Sequence, residues 1–167
     1  MARVILRQAG EGDDFAAILK LVQDCFAYME ARIDPPSSMH RMTVDSVAAH
    51  ARDEEIWLCE DEAGALLGCV FFTRKPPEAG QSARLYLGKM AVGPAARGQG
   101  LSRLMVEKAA ERAVAQGLPL LELEARIELV ENHNLFAGLG FVKTAENAYA
   151  GYDRPTSIVM QRPAMAG

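Results

Sequence analysis

The chain has 167 residues, 50% of them hydrophobic and 24% charged, with a formal net charge of −4 and an isoelectric point near 5.4. That length suits one domain with a full core, and the acidic balance argues against nucleic acid as a partner, because phosphate neutralisation needs clustered Lys and Arg. No apolar run approaches the roughly 18 residues of a membrane span, and Met-Ala-Arg-Val-Ile-Leu-Arg turns to charge too soon for a signal peptide.

Taken in chain order, Arg3 to Ala9 is a short β-rich run, and Asp13 or Asp14 caps a helix to about Glu30. In that helix Phe15, Ile18, Leu19, Val22, Phe26 and Met29 recur at helical spacing. Two prolines break the pattern in Asp34-Pro-Pro-Ser-Ser-Met-His, and Thr43 then caps a second helix to Arg52. Glu55 to Glu60 and Ala65 to Arg74 read as strands of a hairpin around Asp61-Glu62-Ala63-Gly64. After the Pro76 to Gly80 loop, Ser82 to Val92 is a long strand. A Gly-rich turn leads into a helix to Gln116, with Gly117 as its stop. Leu118 to Arg126 is a strand and Asn132 to Leu139 a short helix closed by Gly140. Phe141 to Lys143 opens another strand, and Ser157 to Gln161 closes the series. The order is that of an α+β fold around a mixed sheet. The three cysteines, Cys25, Cys59 and Cys69, have no C-x-x-C spacing, which predicts reduced thiols in a cytoplasmic protein. His40 and His50 have no partners at metal-ligand spacing, so no metal is expected.

The turn is the most informative segment. Val92-Gly-Pro-Ala-Ala-Arg-Gly-Gln-Gly-Leu-Ser102 places Gly98, Gly100 and the Arg97 guanidinium just before a helix, whose first N–H groups have no partner in the helix and whose dipole favours an anion. Spacing separates the phosphate loops that could stand here. A G-x-x-x-x-G-K-[ST] loop beginning at Gly93 fails because Gln99 occupies the Lys position. A G-x-G-x-x-G turn beginning at Gly98 fails because Arg103 occupies the third Gly position. What remains is [QR]-x-x-G-x-[GA] at Arg97, Gly100 and Ser102, with Ser a small departure from Gly or Ala.

That pattern resembles the pyrophosphate motif of the GNAT superfamily of acetyl-CoA-dependent N-acetyltransferases, and the element order is similar to that family's from first strand to last. The resemblance implies a single domain over residues 1–167, with a mixed, mostly antiparallel sheet flanked by helices. Its two central strands, here Ser82 to Val92 and Leu118 to Arg126, would splay to admit the coenzyme. It implies acetyl-CoA as cosubstrate and an amine of a small molecule or protein as acceptor, and leaves a homodimer open. Met90, Ala91 and Val92 would meet the pantetheine; Arg97, Gly98, Gln99, Gly100, Leu101 and Ser102 the pyrophosphate; and Asn132 and Phe136 would also contact the coenzyme. Two departures stand out. Phe136 has no hydroxyl where many members carry Tyr, and Gly88 beside Lys89 stands where many carry Glu.

Alternation puts Glu122, Glu124 and Arg126 on one face of an inner strand, where charges must be paired or face a wet cleft. They are either a structural ion pair or solvated strand end, or they make Glu124 the base or amine-binding carboxylate. His133 reads as a helix cap or as a contact to pantetheine or substrate, and Tyr86 either shares a face with Gly88 toward the splay or packs. Asp34 to Ser38, Tyr149, Tyr152 and Asp153 lie in the two loops that wall the acceptor site in the family. A non-catalytic acyl-CoA-binding domain of the same fold is the alternative that the missing Tyr and Glu keep open.

Overall fold

The structure is a computed structural model and describes residues 3–36 and 41–165. Its elements in chain order are β1 (Ile5–Gln8), α1 (Phe15–Ala27), α2 (Val44–Asp53), β2 (Glu55–Glu60), β3 (Leu66–Lys75), β4 (Arg84–Val92), α3 (Leu101–Ala115), β5 (Leu120–Arg126), α4 (Val130–Gly138), β6 (Val142–Asn147) and β7 (Ser157–Pro163). The strand order is β1-β2-β3-β4-β5-β7-β6. The β1–β2, β2–β3, β5–β7 and β6–β7 ladders are antiparallel, and β4–β5 is parallel. The α+β, mixed and mostly antiparallel sheet expected from the sequence is the one observed. Two compact units make up the chain, one of residues 1–28, 38–73 and 87–105, the other of residues 29–37, 74–86 and 106–167.

In the first unit, local chemistry sets the helix starts. Asp14 Oδ1 accepts from the Ala17 N–H at 3.0 Å, and Thr43 and Ser46 form a reciprocal capping box, each satisfying N–H groups that a helix cannot. Helix α1 ends at Ala27, short of the expected Glu30, and beyond it the Met29 carbonyl accepts from the Arg32 and Ile33 N–H groups in a separate turn. Ile18 and Val22 of α1, Val47 of α2, and Ile56 and Phe71 of the strands are buried together in one core cluster. The hairpin turn is held by Asp61, whose Oδ1 accepts from Ala63 and Ala65, with Gly64 at φ +86°. Gly68 lets β3 approach β4 closely, since a Cβ there would stand 2.9 Å from the Ala91 carbonyl oxygen.

In the second unit, β5 pairs with β7 along its whole length, from Leu120↔Pro163 to Arg126↔Ser157. Its ladder with β4 runs only from Arg84↔Leu120 to Tyr86↔Glu122. Leu121, Leu123, Ile158, Met160 and Phe141 are buried there. Helix α4 begins at Val130, earlier than Asn132, and β6 extends to Asn147, beyond the opening segment the sequence marked.

Candidate functional site

Past Val92 the chain makes a short 3-10 turn, Pro94–Ala96, before α3 begins at Leu101. Pro94 stands at the start of that turn, where its missing N–H costs nothing, and the Gly93 N–H donates to the Leu67 carbonyl at 2.8 Å. Gly98 and Gly100 then adopt φ +79° and +78°, a region that a Cβ makes costly. Nothing lies within 4 Å of where their Cβ atoms would stand, so the backbone here is open on its outer side. The Gly100 carbonyl accepts from Leu104 at 3.2 Å. The N–H groups of Leu101, Ser102 and Arg103 therefore fall outside the helix's own ladder, at the positive end of its dipole.

Arg97, Gly98, Gln99 and Gly100 are exposed, Ser102 is half-buried, and buried Leu101 anchors the helix start. Gln99 folds back, its Nε2 donating to the Ala95 carbonyl at 3.2 Å. Met90 and Val92 are half-buried and Ala91 is buried. Burial pushes the Cys25 thiol up, and the nearby Arg97 charge only partly offsets it. That thiol donates to the Val92 carbonyl at 3.3 Å and is kept protonated and unreactive. Open amides beside a guanidinium have the shape and charge to hold a phosphate or diphosphate.

In the other unit the three charges of β5 part company. Glu122 is buried and accepts from Arg84 Nε at 2.8 Å, Gln161 Nε2 at 2.8 Å and Lys75 Nζ at 3.3 Å, which makes it the structural ion pair. Glu124 is exposed, and its Oε1 accepts from Asn147 Nδ2 at 2.6 Å. Tyr86, which the sequence offers as facing the splay or as packing, has its phenol pushed well up by burial and by the charges of Glu124 and Glu122, so it stays protonated and can donate. Lys75 Nζ lies 4.1 Å from its ring centre. Strand alternation points to Tyr86, but nothing local in the sequence marks Asn147, because its partner on β5 is distant along the chain.

Arg126 donates to the Pro35 carbonyl at 2.6 Å and lies 5.2 Å from the Tyr149 ring. Its buried Nε and the buried Oε1 of Glu128 face each other at 4.0 Å, too far for a hydrogen bond. His133 is tied to the backbone, its Nε2 lying 2.9 Å from the Arg126 carbonyl oxygen. Tyr152 Oη and Arg154 Nη2 both donate to the Asp34 carboxylate, at 2.9 and 3.0 Å, while Asp153 is exposed. Ser37, Ser38 and His40 lie outside the described residues. Asn132 and Phe136 are half-buried on α4, and the Phe136 ring meets Phe141 edge-on at 6.0 Å. His50 Nε2 lies 3.0 Å from the Phe72 carbonyl oxygen. Among the described residues no group of three His, Cys, Asp or Glu is arranged to hold a metal, and no helix is long and apolar enough to cross a membrane. The three cysteines are buried and unbonded.

Residues 15–141 match the model of the acetyltransferase (GNAT) family. No curated protein sequence matches the chain. Among solved structures, a GNAT-family acetyltransferase from Listeria monocytogenes aligns with a TM-score of 0.73 at 20% identity, covering 96% of this chain and 94% of that one. A spermidine N-acetyltransferase chimera from Vibrio cholerae and hSSAT aligns with a TM-score of 0.70 at 19% identity, over 96% and 95% of the two chains. The NatC complex bound to Gag peptide and CoA contains a chain that aligns with a TM-score of 0.66 at 20% identity, over 96% and 98%. At these identities the likeness is one of fold.

Proposed function

The chain belongs to the acetyltransferase (GNAT) family, and from that premise we propose that it is a cytoplasmic N-acetyltransferase, residues 1–167 forming one domain, that moves an acetyl group from acetyl-CoA to an amine. The observation that carries this reading is the loop from Arg97 to Ser102, where two glycines of positive φ open the backbone ahead of a helix start. Its amides and the Arg97 guanidinium hold the diphosphate. The backbone at Met90 and Val92, past the point where the β4–β5 ladder stops, bonds the pantetheine. Asn132 and Phe136 are assigned to the coenzyme on the family pattern.

The coenzyme supplies an activated acetyl thioester; the chain's residues bind, orient and manage protons. An acceptor amine is protonated at neutral pH, so a base must take its proton before attack. Glu124 is the carboxylate for that task, exposed and oriented by a single neutral partner, Asn147. Tyr86, kept protonated beside it, is the donor. The acceptor is a small molecule or a protein amine. A non-catalytic acyl-CoA-binding domain is the second reading, favoured by Phe136 and Gly88, which lack the acid and base groups common in the family.

The test has two arms. Acetyl-CoA raises the melting temperature of the chain while ATP and NADPH do not; the opposite pattern ends the coenzyme reading. A thiol-release screen over amines, polyamines, amino acids and peptides then gives CoA above background for at least one class. A flat screen with binding retained leaves the second reading.

A further inference from the structure

The lysines of this chain fall into two kinds. Lys20 pairs with Asp24 at 2.6 Å, Lys75 with Glu122 at 3.3 Å, Lys108 with Glu111 at 3.1 Å and Lys143 with Glu146 at 2.7 Å. Lys89 has no carboxylate partner among the described residues. It is half-buried, with its Nζ 5.6 Å from the centre of the Phe71 ring. The other titratable group it meets is His50, whose pKa its charge helps to lower, so the face of Phe71, and no carboxylate, is what its cation has to offset burial. Its backbone is at φ +49°, the one non-glycine residue of positive φ among the described residues. Such strain in a β-strand persists only where surrounding structure imposes it, and it gathers at working sites. The Cys69 thiol donates to its carbonyl oxygen at 3.9 Å.

An unpaired cation in this setting costs free energy that its neutral form avoids. Burial accordingly draws the Lys89 pKa down from the ordinary lysine value, raising the fraction of free amine, which is the nucleophile. Lys89 also immediately precedes Met90, Ala91 and Val92, the strand end that leads to the Arg97–Ser102 loop.

We propose that Lys89 is an acetyl acceptor within the chain itself, a modification site that takes the acetyl group from acetyl-CoA held at that loop, and this rests on the coenzyme reading above. The neutral Nζ attacks the thioester carbonyl carbon, a C–N bond forms as the C–S bond breaks, and the proton lost from nitrogen passes to the CoA thiolate. The products are N-acetyl-Lys89 and free CoA thiol. No oxidant or further reactant enters.

The test is incubation of the full chain with acetyl-CoA and no added amine, with acetylation at each lysine followed by peptide mass spectrometry over time. Lys89 is expected to react at least roughly tenfold faster than Lys20 or Lys143, the advantage of a thioester held in place over one met by collision. Excess free CoA slows Lys89 and leaves Lys20 unchanged. The intact mass of Lys89→Arg stays unaltered over the same period. Equal rates at Lys20, Lys143 and Lys89, or insensitivity to CoA, overturn the proposal as surface chemistry. No acetyl at Lys89 while acetyl-CoA still raises the melting temperature overturns it and leaves the coenzyme reading standing. Absence of both overturns the two together.

Discussion

Arg84 Nε and Glu122 Oε2 meet at 2.8 Å with side chains 7% and 6% exposed, so a full ion pair lies inside the second unit at the parallel β4–β5 ladder. Removing one member of such a pair strands the other in a poorly hydrated place. Arg84→Met is therefore expected to cost about 3 kcal/mol, the low end of the usual range, because Lys75 and Gln161 still reach Glu122. Urea denaturation measures it. The double variant Arg84→Met/Glu122→Leu should lie closer to wild type, and a single variant as stable as wild type would remove the structural role assigned to Glu122.

Gly100→Asp introduces a side chain at φ +78° and a negative charge where a diphosphate is proposed to sit. The Kd for acetyl-CoA should rise at least roughly tenfold, which corresponds to about 1.4 kcal/mol. Calorimetric titration decides, and an unchanged Kd would mean that the loop does not hold the coenzyme.

Glu124→Gln separates chemistry from folding. The residue is exposed and its partner Asn147 can bond an amide as well as a carboxylate, so stability should move by no more than about 0.5 kcal/mol. With an amine returned by the thiol-release screen, kcat/KM should fall on the order of a hundredfold, the usual worth of a positioned base. An unaltered rate would return Glu124 to a solvated strand end.

His50 gives the fold an acid sensitivity of known sign. Burial, with a contribution from Lys89, holds its folded pKa below 6.5. Above that value the ring is neutral in folded and unfolded chains alike. As pH falls below it the unfolded chain takes up its proton first, so stability declines until the lower folded value is passed. The melting temperature should fall on going from about pH 7 to pH 5, and His50→Asn should flatten that slope; an equally steep slope in the variant would assign it to other groups.

Features set by neighbours in sequence were legible. Thr43 could be named as a cap because the donors it satisfies lie within three residues, and Asp61 to Gly64 could be named as a turn for the same reason. Gly98 and Gly100 announced the loop because positive φ leaves few alternatives to glycine. Alternation put Glu122 and Glu124 on one face, but which of them is paired depends on Arg84, Lys75 and Gln161, and no local pattern links those positions to β5. Asn147 is obscure for the same reason. The start of α4 was misjudged because Leu129, which precedes it, supplies no side-chain cap. The unusual backbone of Lys89 left no trace in its residue type.

Each compact unit is assembled from three separate stretches of chain, residues 1–28, 38–73 and 87–105 in one and residues 29–37, 74–86 and 106–167 in the other. No single scission or truncation separates either unit from all segments of the other. A fragment ending at residue 105, which keeps the phosphate loop, would carry residues 29–37 and 74–86 without the rest of their unit, leaving the buried side chains Met29, Ile33 and Leu85 short of companions, and such a fragment should be insoluble rather than a smaller working binder.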